Sequence, residues 1–197
     1  MPADVPGSPD GDQGLWEQAA TGDVQAFGVL FDRHAAAVWN YAYRLTGSWA
    51  TAEDLTSLTF LTAWRRLREV TLVNDSARPW LYTVTANLAR REQRRLGRFA
   101  AALTRLPRAA VVRDHAEDVA GRVDADRRLR TVLGAVAKLP RAERRAVELC
   151  LLGSLSTADA AAVLGIAEPS VRARISRARS RLRTFLQDTD VLTGEEF

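Results

Sequence analysis

Near the end of the chain, Arg172, Arg174, Arg177, Arg179, Arg181 and Arg183 crowd one short stretch, with no acidic residue between Val171 and Arg183. Cations this dense repel one another along a helix and find no acid within the interval to pair with. Stability does not account for them, whereas an anionic partner does: guanidinium forks meet phosphate oxygens and the edge of guanine bidentately. A second set, Trp80, Tyr82, Asn87, Arg90, Arg91, Arg94 and Arg95, interleaves rings, an amide and cations. Single-stranded DNA is gripped by such mixtures, with bases stacked on rings and arginines following the backbone. Asn87 has the donor and acceptor to meet a base edge. Both sets keep a plainer alternative. The arginine face also suits open solvent or an acidic protein, and Trp80 and Tyr82, two positions apart, also suit a core.

Catalysis finds no footing. His34 and His115 are isolated, so no nucleophile, base and oxyanion donor can be assembled around them. Glu53 and Asp54 are adjacent at the start of an expected helix, where carboxylates favour the positive end of the dipole. Cys150, the one cysteine, sits between Leu149 and Leu151 and reads as a small apolar core residue. With no CxxC motif or Cys/His cluster, neither a metal nor a cofactor is expected. Net charge is a modest +4, yet Lys138 is the only lysine among 28 basic residues.

Helical periodicity must position these groups. Asp23 is the expected N-cap of a helix whose apolar residues Phe27, Leu30, Phe31, His34, Val38, Tyr41, Ala42 and Leu45 recur at three- and four-residue steps; Thr46-Gly47-Ser48 ends it. A second helix is expected from about Ala50 to Leu67, then a polar loop over residues 68–77 containing Asn74-Asp75-Ser76. Pro79 opens a third helix to about Arg95 or Gly97. Helices resume near Asp124: one over 125–138, one after Pro140 to near Gly153, a short one over 156–164 and a long one from Glu168 to about Gln187.

The last two form a helix-turn-helix pattern. Ser156-Thr157-Ala158-Asp159 resembles a capping box with Asp in place of Glu. Gly165 suits a left-handed helix end, and Ile166 plugs the turn. Val171, Ile175, Ala178, Leu182 and Phe185 then step by four, three, four and three along the expected inner face. The outer face carries the arginines, in a geometry that a DNA major groove accepts.

At these positions the chain resembles the extracytoplasmic-function (ECF) type of RNA polymerase sigma factor, of the sigma-70 superfamily. Ala52-Glu53-Asp54-Leu55 with Thr59-Phe60-Leu61 and Ala63-Trp64 resembles the polymerase-binding helix of that family. Pro79-Trp80-Leu81-Tyr82 and Ala86-Asn87-Leu88-Ala89 resemble its −10 helix. Leu139-Pro140 with Glu143-Arg144 resembles the start of its C-terminal domain, and Val163-Leu164-Gly165-Ile166 with Val171-Arg172-Ala173-Arg174 its −35 helix. Where the family often has Gln-Glu before Thr-Phe, this chain has Ser57-Leu58, and Pro169 stands in the first turn of the last helix.

The resemblance implies an all-α fold of two helical domains joined by a flexible linker. The expected division is a disordered tail over 1–14, an N-terminal domain over 15–97, a linker over 98–124, a C-terminal domain over 125–187 and a tail over 188–197. It implies that Glu53, Asp54, Leu55 and Thr59 bind polymerase. The −10 element falls to Trp80, Tyr82, Asn87, Arg90, Arg91 and Arg94, with the 68–77 loop helping to hold a flipped base. The −35 element falls to Ser170, Arg172, Ala173, Arg174, Ser176, Arg177 and Arg179. Expected partners are core RNA polymerase, through its β′ clamp and β subunit, promoter DNA and an anti-sigma factor, in the cytoplasm and without membrane insertion. The rival readings are a stand-alone helix-turn-helix regulator and a helical adaptor for an acidic protein.

Overall fold

A computed structural model of the chain describes residues 11–103 and 120–187. Among the described residues there are eight α-helices and no strand: α1 (Asp12–Thr21), α2 (Val24–Thr46), α3 (Trp49–Arg66), α4 (Arg78–Leu103), α5 (Ala120–Lys138), α6 (Arg141–Val147), α7 (Thr157–Leu164) and α8 (Glu168–Gln187). Most of the expected linker, residues 1–10 of the expected N-terminal tail and the whole tail over 188–197 lie outside these residues. At the linker's edges helix extends further than expected, to Leu103 on one side and from Ala120 on the other.

Helix α2 forms at its expected cap: the Asp23 carboxylate accepts from the backbone N–H of Gln25 and Ala26. It buries Leu30, His34, Val38, Tyr41, Ala42 and Leu45 of the expected stripe, while Phe27 is only partly buried and Phe31 is exposed. Each large apolar side chain withdrawn from water there contributes roughly 1.5–3 kcal/mol. Helices α1, α3 and α4 pack around this stripe. Between α4 and α3 the loop makes a tight reversal, with Asn74 and Asp75 at φ 53° and 50° and Val73 bridged to Ser76. Asn and Asp tolerate that left-handed backbone better than other side chains.

Helix α1 corrects the expectation of a disordered tail up to Gly14. Trp16 and Ala19 enter the core, and Gly22 ends the helix at φ 110°. Asp12 is buried and holds three groups at once. Its carboxylate accepts from Arg33 Nη1 at 2.8 Å and from the Ala77 backbone N–H at 2.7 Å, and lies 2.7 Å from His34 Nε2.

The C-terminal helices share the core of the N-terminal ones. One hydrophobic cluster runs from Trp16 and Leu30 through Leu81, Tyr82 and Ala86 into Ala146, Leu149, Leu155, Ala160, Val171 and Ile175. A second, smaller cluster joins Val136, Leu139, Val147 and Ala178 with Leu182 and Phe185. The junction is a π-helical turn, Glu148–Leu152, following α6. Gly153 ends it against the stacked rings of Tyr41 and Tyr82, whose centroids are 4.2 Å apart. A Cβ on Gly153 would meet the Leu149 carbonyl oxygen at 2.6 Å and the two rings at 3.0 and 3.1 Å, so the close approach requires glycine. Cys150 in this turn is half-buried, and burial pushes its thiol pKa up, as suits the packing role expected of it.

Candidate nucleic-acid interface

Helix α8 is held by the turn that precedes it. Ser156 Oγ accepts the Asp159 N–H at 3.0 Å, capping α7 as expected. Asp159 does not reach back to the Ser156 backbone. Its carboxylate instead accepts the Ser156 hydroxyl at 2.7 Å and the Asn74 amide at 2.7 Å. Gly165 takes the left-handed backbone at φ 65°, and Ile166 packs partly buried against the core. Val171, Ile175 and Ala178 are buried beneath α8, with Leu182 and Phe185 partly so.

The opposite face of α8 is exposed at Ser170, Arg172, Ala173, Ser176, Arg177 and Arg179, with Arg174 half-buried. The expectation of six unpaired cations is corrected at three of them. Arg172 pairs with Glu168 one turn earlier at 2.7 Å. Arg177 and Arg181 both approach Glu143 of α6, at 3.7 and 3.2 Å. These acids lie outside the interval between Val171 and Arg183, and only the helix start and the fold bring them close. The arginines themselves remain more than half exposed. The Arg172–Glu168 pair lies at the surface, where such pairs contribute about 0–1 kcal/mol, whereas Glu143 is buried, so Arg177 and Arg181 also neutralise a carboxylate withdrawn from water.

In α4 the expected −10 residues divide. Tyr82 is buried at 4% exposure against Tyr41, and burial pushes its hydroxyl pKa up. Trp80 is half-buried, edge-on to Trp16 at 5.6 Å. Both rings therefore serve packing in this arrangement instead of offering a face to a base. Asn87, Arg91 and Arg94 are exposed. Arg90 is drawn across to the C-terminal half, where it pairs with the buried carboxylate of Glu148 and donates to Asn87 Oδ1 at 2.5 Å. Burial raises the Glu148 pKa against the lowering pull of Arg90, Arg144 and Arg145.

In α3, Glu53 and Asp54 are exposed, but the helix begins at Trp49, so they stand past the first turn where the dipole argument placed them. Glu53 accepts the Trp49 indole N–H at 3.0 Å. Leu55 and Thr59 are corrected: both are buried, and Thr59 Oγ1 lies 3.0 Å from Thr85 Oγ1 where α3 meets α4. The exposed side of α3 instead shows Leu58, Leu61 and Trp64, with Phe31 of α2 also exposed. This corrects the periodic reading, which places Leu58 on one side with Leu55, Thr59, Thr62 and Ala63 and counts Phe31 in the apolar stripe of α2. Among the described residues no group of acids, histidines and cysteines is placed to hold a metal.

A capped helix-turn-helix with a cationic outer face, joined to a helical half with a second arginine row, suits a protein that meets nucleic acid through two helical surfaces. The family model Sigma-70 region 2 matches residues 30–99, and Sigma-70 region 4 matches residues 129–182. An ECF RNA polymerase sigma factor of Mycobacterium tuberculosis, SigL, is 34% identical over 176 residues, covering 88% of this chain and 96% of its own. The solved structure of CnrH in complex with the cytosolic domain of CnrY aligns at a TM-score of 0.62 and 29% identity, over 91% of this chain and 99% of that one. The sigma factor RpoE in complex with the anti-sigma factor NepR from Bartonella quintana aligns at 0.55 and 25%, over 83% and 98%. The chain belongs to the ECF family of RNA polymerase sigma factors, and it directs the polymerase to promoters.

Proposed function

We propose that promoter choice is divided between α8 and α4. Ser170, Arg172, Ala173, Arg174, Ser176, Arg177 and Arg179 of α8 meet the −35 duplex in its major groove. The small side chains at 170, 173 and 176 let the helix approach closely, while the arginines hold phosphates and guanine edges. Asn87, Arg90, Arg91 and Arg94 of α4 take the melted −10 strand, with Arg90 first released from Glu148. Trp80 and Tyr82 act there by holding α4 in place through their contacts with Trp16 and Tyr41. The exposed side of α3, Glu53, Asp54, Leu58, Leu61 and Trp64, docks on the polymerase, and Leu55 and Thr59 fix its orientation from within. The observation that carries the reading is the exposed cationic face of α8 directly behind a capped, glycine-closed turn.

The chain makes no bond itself; RNA synthesis belongs to the polymerase. Tethering two weak DNA modules to one polymerase raises the effective concentration of each. No helix among the described residues is long and apolar enough to cross a membrane, in keeping with a cytoplasmic place of action. An anti-sigma factor is the third partner, a reading supported by the complexes in which similar sigma factors were solved. Reconstituted transcription tests the whole. Core polymerase plus this chain should initiate at a cognate promoter, and Arg172→Ala with Arg177→Ala should abolish dependence on the −35 sequence. Failure to form a complex with core polymerase on gel filtration would refute it.

A further inference from the structure

Between α4 and α6 lies a cavity of about 510 Å³ lined by Asn87, Arg90, Arg91, Arg94, Arg141 and Arg144. Three of its arginines, Arg90, Arg91 and Arg94, belong to the expected −10 set, and the fold adds Arg141 and Arg144 from the C-terminal half. Glu148 pairs with Arg90 and acts at longer range on Arg144 and Arg145. Arg144 donates to the carbonyls of Ala137 and Leu139, and its Nε is buried without a hydrogen-bond partner. Exposed Arg91, Arg94 and Arg141 have no acid within ion-pair distance among the described residues. Positive charge is thus in excess where two halves of the chain meet. Arg145 next to the cleft feels it: its pKa is lowered by burial first and then by Arg90 and Arg141.

We propose that this cleft binds a compact polyphosphate anion, gripped from both sides by Arg91 and Arg94 of α4 and Arg141 and Arg144 of α6. Several guanidiniums around one small cavity match a chain of linked phosphates, whose many oxygens accept forked hydrogen bonds together. The lining has no ring on which a base would stack, so the phosphate chain is recognised and a nucleoside is not. Inorganic tripolyphosphate and a nucleoside triphosphate should therefore bind alike. Because the two sides of the cleft belong to different halves, the ligand favours their packed arrangement. It also withdraws Arg91 and Arg94 from any other anion, a consequence that rests on the −10 reading and is separate from the binding itself.

Calorimetric titration of the full chain with sodium tripolyphosphate, in near-physiological salt, tests the site. The expected result is one saturable site, weakened at least about tenfold by Arg94→Ala and equally by Arg141→Ala, the loss of a charge-assisted hydrogen bond from either wall. Arg179→Ala on the far face of α8 should change affinity less than about twofold. Adenosine triphosphate should match tripolyphosphate within a few-fold. All these residues are exposed, and a urea melt of each variant verifies that it folds. Diffuse multi-site binding, a loss at Arg179→Ala as large as at Arg141→Ala, or sensitivity on only one wall would overturn the proposal. Marked preference for the nucleotide would overturn recognition of the phosphate chain alone.

Discussion

Replacing Asp12 with Asn should remove a pH-dependent tie at the root of α4. Burial by itself would raise the Asp12 pKa. Hydrogen bonds from His34, the Ala77 N–H and Arg33, with the His34 charge, outweigh burial and lower the pKa from 3.8 to about 2. A lowered carboxylate contributes stability that is fully present above its unfolded pKa and lost as pH falls through its folded one. At about 1.4 kcal/mol per unit, Asp12 contributes about 2 kcal/mol at pH 7. About half of that remains at pH 3, and little below pH 2. Glu148 runs the opposite way: burial raises its pKa from 4.5, so its contribution falls as pH rises past that value. Comparing Asp12→Asn with the wild-type chain at each pH cancels that second effect. Urea unfolding at pH 7, 4 and 3 should show a gap of about 2 kcal/mol that narrows steadily with acid. Asp12 also holds the first residues of α4 through Ala77, while Gln13 N–H donates to Asp75 in the preceding loop at 2.7 Å. Loosened loop geometry should therefore slow promoter opening in the variant. A gap under about 0.5 kcal/mol at pH 7, or one independent of pH, would refute the reasoning.

Other perturbations separate packing from recognition. Gly153→Ala forces a Cβ against the Leu149 carbonyl and the two tyrosine rings; overpacking of this kind costs about 1–3 kcal/mol, read as a lower urea midpoint, and an unchanged midpoint would contradict it. Thr59→Val removes the buried hydroxyl contact to Thr85 and should cost about 1 kcal/mol by chemical denaturation, with wild-type affinity for core polymerase if its role is internal. Arg179→Ala should weaken −35 duplex binding for all sequences and lower the salt slope by about 1, whereas Arg172→Ala should also relax sequence preference; equal loss on every sequence for both would remove the distinction. Asn87→Ala should reduce permanganate reactivity of the −10 bases more than it reduces polymerase recruitment, and unchanged reactivity would end its assignment.

Local signals were readable wherever partners lie within a few residues. Asp23 and Ser156 cap their helices, Gly165 turns left-handed, and the inner face of α8 is the one that its four-three steps mark. What escaped depends on partners far along the chain. Nothing near Asp12 announces His34 or Ala77, so an acid in a Pro- and Gly-rich start reads as solvated tail. Leu15 and Trp16 are the two large apolar residues of a short segment, too few for periodicity; the Trp16 indole N–H reaches the Leu67 carbonyl at 3.0 Å. Thr59 looks polar and available in one dimension, yet it is paired with Thr85 across 26 positions. The acids that meet α8 arginines are likewise invisible to a count restricted to the arginine stretch.

The packing of the two halves bears directly on how tightly the free chain can hold DNA. Arg90 is engaged by Glu148 and Asn87, and Asn74, in the loop beside α4, is engaged by Asp159 of α7. Arg44 of α2 adds a hydrogen bond to the Leu152 carbonyl at 2.9 Å. DNA on α4 therefore competes with contacts inside the molecule, and its apparent affinity is the intrinsic one reduced by the fraction of chains with those contacts released. On α8 the ion pairs of the outer arginines run to Glu168 on the same helix and to the buried Glu143 of α6, and among the described residues none runs to α4. On the proposed division of labour, the exposed face of α8 is open to duplex DNA in this arrangement, while Arg90 reaches an unpaired strand only by giving up its contact with Glu148.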